Sequence, residues 1–333
     1  MSNQNDVEEF VKETSLRENL EKVFGSLRPA SLANMDSGSE YDEDKKVPGV
    51  PTQYQLYREG YTPANTTIPT LPPGCYDITA DNNGIYVVPM PKPTGLLLNL
   101  PEMRSDEVIG MVETFWNSEK DYKEGNEFVV GGAAFKAGVM LYGPPGTGKS
   151  CTIKIVANKL VERGGTVFFA STSPNIVMKF LEDFAKIENN RKCIVILEDV
   201  DSLIHQYGES HYLEMLDSAK SIDNILFIAT TNYPDRLDPR IYNRPGRFSH
   251  VIKIGLPGTK ARKAYLEAIL KNHRDVDYIV EHTKNFSVDH LTAICNAVYR
   301  EKKELKAEIL RLKTLFKIPK SEDEPKMGIV LDD

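Results

Sequence analysis

The stretch 139–150, VMLYGPPGTGKS, constrains this chain more than any other. An apolar run (Val139, Met140, Leu141, Tyr142) reads as a buried strand that breaks at Gly143. Beyond Ser150, the residues Ile153, Ile155, Val156 and Leu160 recur at helical spacing. Strand, G-x-x-x-x-G-K-S loop and helix together form a phosphate cradle. Glycines let backbone N–H groups converge on phosphate oxygens, and the positive end of the following helix faces the same anion. Gly143, Pro144, Pro145, Gly146, Thr147, Gly148, Lys149, Ser150 and Cys151 are the candidate nucleotide-contacting residues. Lys149 would reach the β- and γ-phosphates, and the Ser150 hydroxyl would sit on Mg²⁺.

The 333 residues suffice for one large core plus smaller appended units. A formal net charge of −7 argues against wholesale nucleic-acid binding, although a local basic lining would be invisible in that total. Cys75, Cys151, Cys193 and Cys295 lie far apart without C-x-x-C spacing, which fits free thiols rather than a zinc site or disulfide framework. No stretch approaches the roughly 18 consecutive apolar residues that span a bilayer. Residues 1–10 (MSNQNDVEEF) are polar and acidic, unlike a signal peptide. The expectation is a soluble, cytoplasmic protein that meets no membrane.

Residues 1–47 read as an acidic, partly disordered arm. Within it, Val7, Phe10, Val11, Leu20, Val23, Phe24 and Leu27 share a helical face, suited to docking a partner or to packing on the body. Residues 48–104 are proline-rich and read as a small β-containing extension, with a hairpin over 75–90 turning at Asn82-Asn83-Gly84. From residue 105 to 256 short apolar strands alternate with helices. Strands are expected at 139–142, 166–170, 193–197, 224–230 and 250–254, and helices at 176–187 and 211–219. That alternation implies an α/β core, a parallel sheet covered on both faces, with ligands at the carboxyl ends of its strands. Residues 257–318 read as all-helical: a helix over 261–273, then a long one from Ser287 towards residue 315, striped by Leu291, Ile294, Val298, Leu305, Ile309, Leu312 and Phe316. Residues 319–333 form a polar tail.

Four motifs stand in this order: GPPGTGKS at 143–150, ILEDVDSL at 196–203, IATTN at 228–232 and LDPRIYNRPGRF at 237–248. In that order they resemble the AAA family of ring-forming ATPases, whose core and helical lid would occupy about residues 105–315. The resemblance implies ATP and Mg²⁺ as ligands and ATP hydrolysis as the activity. It places Ser150 and Glu198 at the metal, Glu198 through water, and Asp199 beside the attacking water. The family's usual order is Asp then Glu, and the reversal here leaves the division of labour between Glu198 and Asp199 open. The reversed pair is similar to a subgroup that includes the mitochondrial translocase of folded iron–sulfur protein and soluble phage relatives. Asp201 reads as structural.

The resemblance further implies that Asn232 senses the γ-phosphate or lytic water, and that Arg244 and Arg247 reach the nucleotide of a neighbouring subunit. His273 would lie near ribose and adenine. A homo-oligomeric ring follows, a hexamer by family expectation, with a heptamer or helical filament as alternatives. After the second core strand, STSPNIVMKFLEDFAKIENNRK has no obvious aromatic-hydrophobic-Gly triplet for gripping a threaded chain. Met178, Lys179 and Phe180 could substitute, or Phe180 could be core. The favoured reading is an ATP-driven ring that remodels or translocates a protein partner. The alternatives are a nucleic-acid-acting motor or loader, and a slow nucleotide-dependent assembly switch.

Overall fold

The computed structural model describes residues 53–57, 60–64, 68–82, 84–91, 97–125, 131, 134–218, 222–242, 244, 246–271 and 273–315. The acidic arm at 1–47 with its amphipathic stretch, the tail at 319–333 and Phe316 lie outside the described residues. The chain divides into two compact units, residues 1–67 and residues 68–333. In the first, β1 (Gln53–Tyr57) pairs antiparallel with β2 (Gly60–Ala64), Gln53 opposite Ala64.

The second unit is built on a seven-stranded sheet. Its strands are β3 (Gly74–Asp81), β4 (Gly84–Met90), β5 (Lys136–Tyr142), β6 (Thr166–Phe169), β7 (Cys193–Leu197), β8 (Ile225–Thr231) and β9 (His250–Lys253), in the spatial order β4-β3-β6-β7-β8-β5-β9. Every pairing is parallel except β3 with β4. The expected α/β architecture is therefore present. The hairpin, however, is no separate layer. β3 runs parallel to β6, with Cys75 opposite Val167, so the stretch expected to form an extension supplies two strands of the core sheet. Tyr76 and Ile78 are buried in that sheet, whereas the outermost strand β4 leaves Ile85, Tyr86, Val88 and Met90 exposed.

Side-chain alternation along the strands separates two cores. Val139 and Leu141 of β5, Ile194 and Ile196 of β7 and Ile228 of β8 face α1 (Ser105–Asn117) and α3 (Lys149–Glu162). α2 (Glu119–Glu124) follows α1 directly. Met140, Val195 and Phe227 face the other way, towards α4 (Pro174–Ile187) and α6 (Glu209–Ser218). Burying each such side chain contributes about 1.5–3 kcal/mol. Phe180 belongs to this second layer: its ring packs edge-on against Phe168 at 5.0 Å and near-parallel to Phe184 at 6.2 Å. Met178 is buried beside it. Of the three residues considered for a substrate grip, Met178 is core and Phe180 is half-buried against it.

Helix α5 (Val200–Tyr207) intervenes between β7 and α6, a helix the apolar pattern did not mark. The short α7 (Pro239–Tyr242) precedes β9. The C-terminal helices α8 (Thr259–Leu270), α9 (Val276–His282), α10 (Val288–Cys295) and α11 (Leu305–Leu315) join the α1/α3 core through Leu266, Ile279, Leu291, Ile294, Ile309 and Leu312. The single long helix expected from Ser287 to residue 315 is two helices. A π-turn over Asn296–Arg300 ends the first, with the Glu301 amide donating to the Asn296 carbonyl at 3.0 Å and Lys302 at φ 64°. No Pro or Gly marks this break, and the apolar stripe runs through it, so the periodicity alone concealed it.

Candidate nucleotide site

The parallel strands bring the carboxyl ends of β5, β7 and β8 side by side, and a cavity of about 370 Å³ opens there. Much of its lining is polar. Gly146, Thr147, Gly148, Lys149 and Ser150 line it from the loop, Glu198 and Asp199 from the end of β7, and Thr230 and Asn232 from the end of β8. Apolar lining comes from Leu98, Leu100 and Met103 of the segment before α1 and from Val288 of the lid. Residues 98–103 were expected to belong to the extension, and they are a wall of the site.

Loop and helix are pinned from within. The Thr147 hydroxyl donates to the Pro144 carbonyl at 2.9 Å, the Thr152 amide donates to the Gly148 carbonyl at 2.9 Å, and Ser105 Oγ meets Thr152 Oγ1 at 2.9 Å. Gly143 and Pro144 do not line the cavity. Their carbonyls instead accept from Lys149 Nζ, each at 2.8 Å. Burial pulls the Lys149 ammonium down to about 8, against the upward influence of Asp199 and Asp289. An anion in the cradle would push it back up, because a nearby negative charge favours the ammonium. Cys151 lines the cavity half-buried; burial pushes its thiol pKa up, and Sγ lies 3.8 Å from the Leu98 carbonyl. Among the described residues Cys75, Cys151, Cys193 and Cys295 form no disulfide.

The two carboxylates differ in how they are held. Asp199 caps α5 in a left-handed conformation, φ 48° and ψ 53°, with its amide donating to Thr230 Oγ1 at 3.0 Å. Asn232 Nδ2 donates to Asp199 Oδ1 at 3.1 Å, so the expected sensor and one acid form a pair. Glu198 is exposed to the cavity, with no hydrogen bond to the other described residues. Asp201 is buried and accepts from Thr231 Oγ1 at 2.7 Å, the structural role its position suggested. Mg²⁺ prefers few protein ligands and keeps waters and phosphates. Ser150 and Glu198, both exposed at the same cavity, fit that requirement.

Three expected site residues lie elsewhere. His273 does not line the cavity; its ring packs edge-on against Tyr299 at 5.1 Å, and Nδ1 accepts from the Asp275 amide at 3.3 Å. Arg247 is 4% exposed, its guanidinium donating to Asp217 Oδ2 at 2.7 Å and to the Arg240 carbonyl. Arg244 is 57% exposed, with Nη1 3.2 Å from the same Asp217 carboxylate. A Cβ on Gly138, early in β5, would collide with the Arg247 carbonyl oxygen. That places the Arg247 backbone about 16 Å along the strand from the phosphate loop, at about 3.3 Å per residue.

The structure also adds residues that the motifs did not. Tyr265 and Thr292 of the lid line the cavity, with their hydroxyl oxygens 2.5 Å apart. Asp289 lines it too, in the first turn of α10. The Val288 amide donates to the Gly146 carbonyl at 2.9 Å, which docks the lid onto the loop.

Residues 139–256 match the ATPase family associated with various cellular activities (AAA). The chain is 32% identical over 181 residues to the cell division cycle protein 48 homolog of Archaeoglobus fulgidus, covering 47% of this chain and 24% of that protein. It is 28% identical over 230 residues to the ATP-dependent zinc metalloprotease FtsH 1 of Conexibacter woesei, covering 60% and 34%. It is also 30% identical over 179 residues to the ATPase family gene 2 protein of Schizosaccharomyces pombe, covering 47% and 22%. The chain thus spans between about a fifth and a third of these relatives' lengths. Among the described residues no helix is long and apolar enough to cross a membrane. Over residues 139–256, about a third of the chain, the family match, the motif order and the cavity agree on an ATPase domain similar to the AAA family, with ATP and Mg²⁺ as its ligands.

Proposed function

We propose that the protein hydrolyses ATP in an oligomeric ring and couples the cycle to remodelling or translocating a protein partner. The observation that carries the hydrolytic part is the convergence of Lys149, Ser150, Glu198 and the Asp199–Asn232 pair on one cavity. In this reading the loop amides and Lys149 hold the β- and γ-phosphates, while Ser150 and Glu198 hold the ion with its waters. Asp199, fixed by Asn232, accepts the proton of the attacking water, and Asn232 orients that water against the γ-phosphate. The pairing of Asp199 with Asn232 supports this division of the two acids over its reverse. The Glu198-Asp199 order also supports placing the chain in the subgroup with reversed acids.

Ring formation rests on Arg244. It is exposed on a segment about 16 Å along β5 from the loop of its own chain, so a neighbour's cradle is the site it could complete. Arg247, buried against Asp217, acts in this reading as the residue that positions the Arg244 segment. A protein partner is favoured because a similar relative is by name an ATP-dependent metalloprotease. With Met178 in the core and Phe180 packed against it, a grip on an unfolded chain would have to come from other residues.

The test is steady-state ATPase rate against protein concentration, with mass by light scattering, for the native chain and Lys149→Ala. A per-subunit rate that rises as assemblies form, and vanishes in the variant, is expected. A rate that stays flat with concentration while mass stays monomeric would remove the ring, and a jump on adding DNA would favour a nucleic-acid motor.

A further inference from the structure

The cavity is lined by the phosphate loop, by the apolar Leu98, Leu100 and Met103, and by Val288, Asp289 and Thr292 of the lid helix α10. Ser287 caps that helix, its Oγ accepting from the His290 amide, and the neighbouring Val288 amide is tied to the loop at Gly146. These two anchors hold Asp289 directly above Gly146: a Cβ added there would lie 2.8 Å from Asp289 Oδ2. The carboxylate is exposed to the cavity and accepts no hydrogen bond from the described residues. Such a group is costly beside a triphosphate, because it adds a third acid to Glu198 and Asp199 without a donor to offset it.

Resting on the nucleotide reading above, we infer that Asp289 is the ribose-binding residue of this site, accepting hydrogen bonds from the sugar's 2′- and 3′-hydroxyls. In this reading the phosphates sit on the loop and the base packs on Leu98, Leu100 and Met103, which leaves Asp289, beside the loop and lining the same cavity, for the sugar that joins them. The ribose diol is the only pair of adjacent hydroxyl donors in the ligand, and an ionised carboxylate offers acceptors alone. His273, the residue the family resemblance put at the ribose, is turned onto Tyr299 and Asp275 instead. A site that hydrogen-bonds a hydroxyl also rejects the analogue lacking it, so Asp289 makes the site selective for ribonucleotides over deoxyribonucleotides.

The experiment is calorimetric titration of the full chain with ADP, 2′-deoxy-ADP and 3′-deoxy-ADP in Mg²⁺, for the native protein, Asp289→Asn and Asp289→Ala. The native chain should prefer ADP over either deoxy form by about tenfold, the scale of one charge-assisted hydrogen bond. Asp289→Ala should lose about tenfold for ADP and bind all three within about twofold of one another. Asp289→Asn, which keeps one acceptor, should fall between. Tighter binding of all three nucleotides by Asp289→Ala would show a charge that repels phosphate and overturn the inference, as would a preference unchanged from the native chain. Absence of ADP binding to the native chain would instead overturn the nucleotide reading and this inference with it.

Discussion

Asn232 Nδ2 donates to Asp199 Oδ1 across 3.1 Å, and the backbone presenting that carboxylate is left-handed. Among non-glycine residues Asp and Asn tolerate that conformation best. The reversed acid order therefore has a local reason: the residue at 199 must both cap α5 at positive φ and face Asn232. Asp199→Asn should keep nucleotide binding while lowering the ATPase rate by about 10²–10⁴-fold, the usual worth of a positioned base. Asp199→Glu should lower the rate as well, through a carboxylate one methylene out of place and strain at residue 199. Adding Glu198→Asp to Asp199→Glu, which exchanges the two acids, should not restore it. Recovery of full activity in that double variant would show that position 199 takes either acid and would overturn this local reason for the order.

The Lys149 shift makes a pH prediction. Burial holds its ammonium at about 8 rather than 10.5, so above about 8 the empty cradle carries a neutral amine. A bound phosphate favours the charged form, so binding in that range draws a proton from solution. Affinity for ADP should then decline as pH rises from about 7 to about 9. At roughly pH 8.5 the binding enthalpy should vary with the buffer's ionisation enthalpy in the sense of proton uptake. Lys149→Met should bind weakly and show no such uptake. For stability the sign is opposite: the unfolded chain holds the proton up to 10.5, so the cost of burying the charge is full below about 8 and fades between 8 and 10.5.

Arg244 and Arg247 share the Asp217 carboxylate but should fail differently. Arg244→Ala removes an exposed guanidinium. It should leave the melting temperature nearly unchanged and lower the ATPase rate of assembled protein by about 10³-fold or more. Arg247→Ala removes a buried partner of Asp217 and of the Arg240 carbonyl, and should cost about 3–5 kcal/mol of stability, read as a lowered denaturation midpoint. Mixing Arg244→Ala with Asp199→Asn chains should regain part of the activity, because some interfaces then pair an intact site with an intact arginine. No gain on mixing would exclude action in trans.

The sheet and its loop were legible in the sequence because their signals are local. Five apolar strands and a glycine loop carry their own punctuation, and β7 was bounded to the residue at Cys193–Leu197. What escaped depends on distant partners. The hairpin at Gly74–Met90 reads like any hairpin, and only its pairing with β6, more than 80 residues away, makes it part of the core. Leu98, Leu100 and Met103 carry no motif, so their place at the cavity could not be seen. Phe180 is ambiguous along the chain and is decided by Phe168 across the layer. Asp289 is one acid among many until the Val288–Gly146 hydrogen bond sets it over the loop.

That same contact yields the last prediction. Gly146 has φ 72°, and a Cβ there would stand 2.8 Å from both Ser287 Oγ and Asp289 Oδ2. Gly146→Ala therefore meets two penalties, a backbone conformation that L residues rarely adopt and a collision with the lid. The substitution should push the start of α10 off the loop while the sheet, packed by α1 and α3 on one face and by α4 and α6 on the other, keeps its strand pairing. ADP affinity should fall by about tenfold or more, and amide exchange should accelerate in α10 but not in β5, β7 or β8. Asp289→Ala in the Gly146→Ala background relieves the collision with Asp289 and leaves the one with Ser287 Oγ. It should slow α10 exchange only in part and not restore affinity, since the strained φ at residue 146 and the missing ribose acceptor both remain. Restored affinity in that pair would mean that Asp289 hinders the nucleotide rather than holding it.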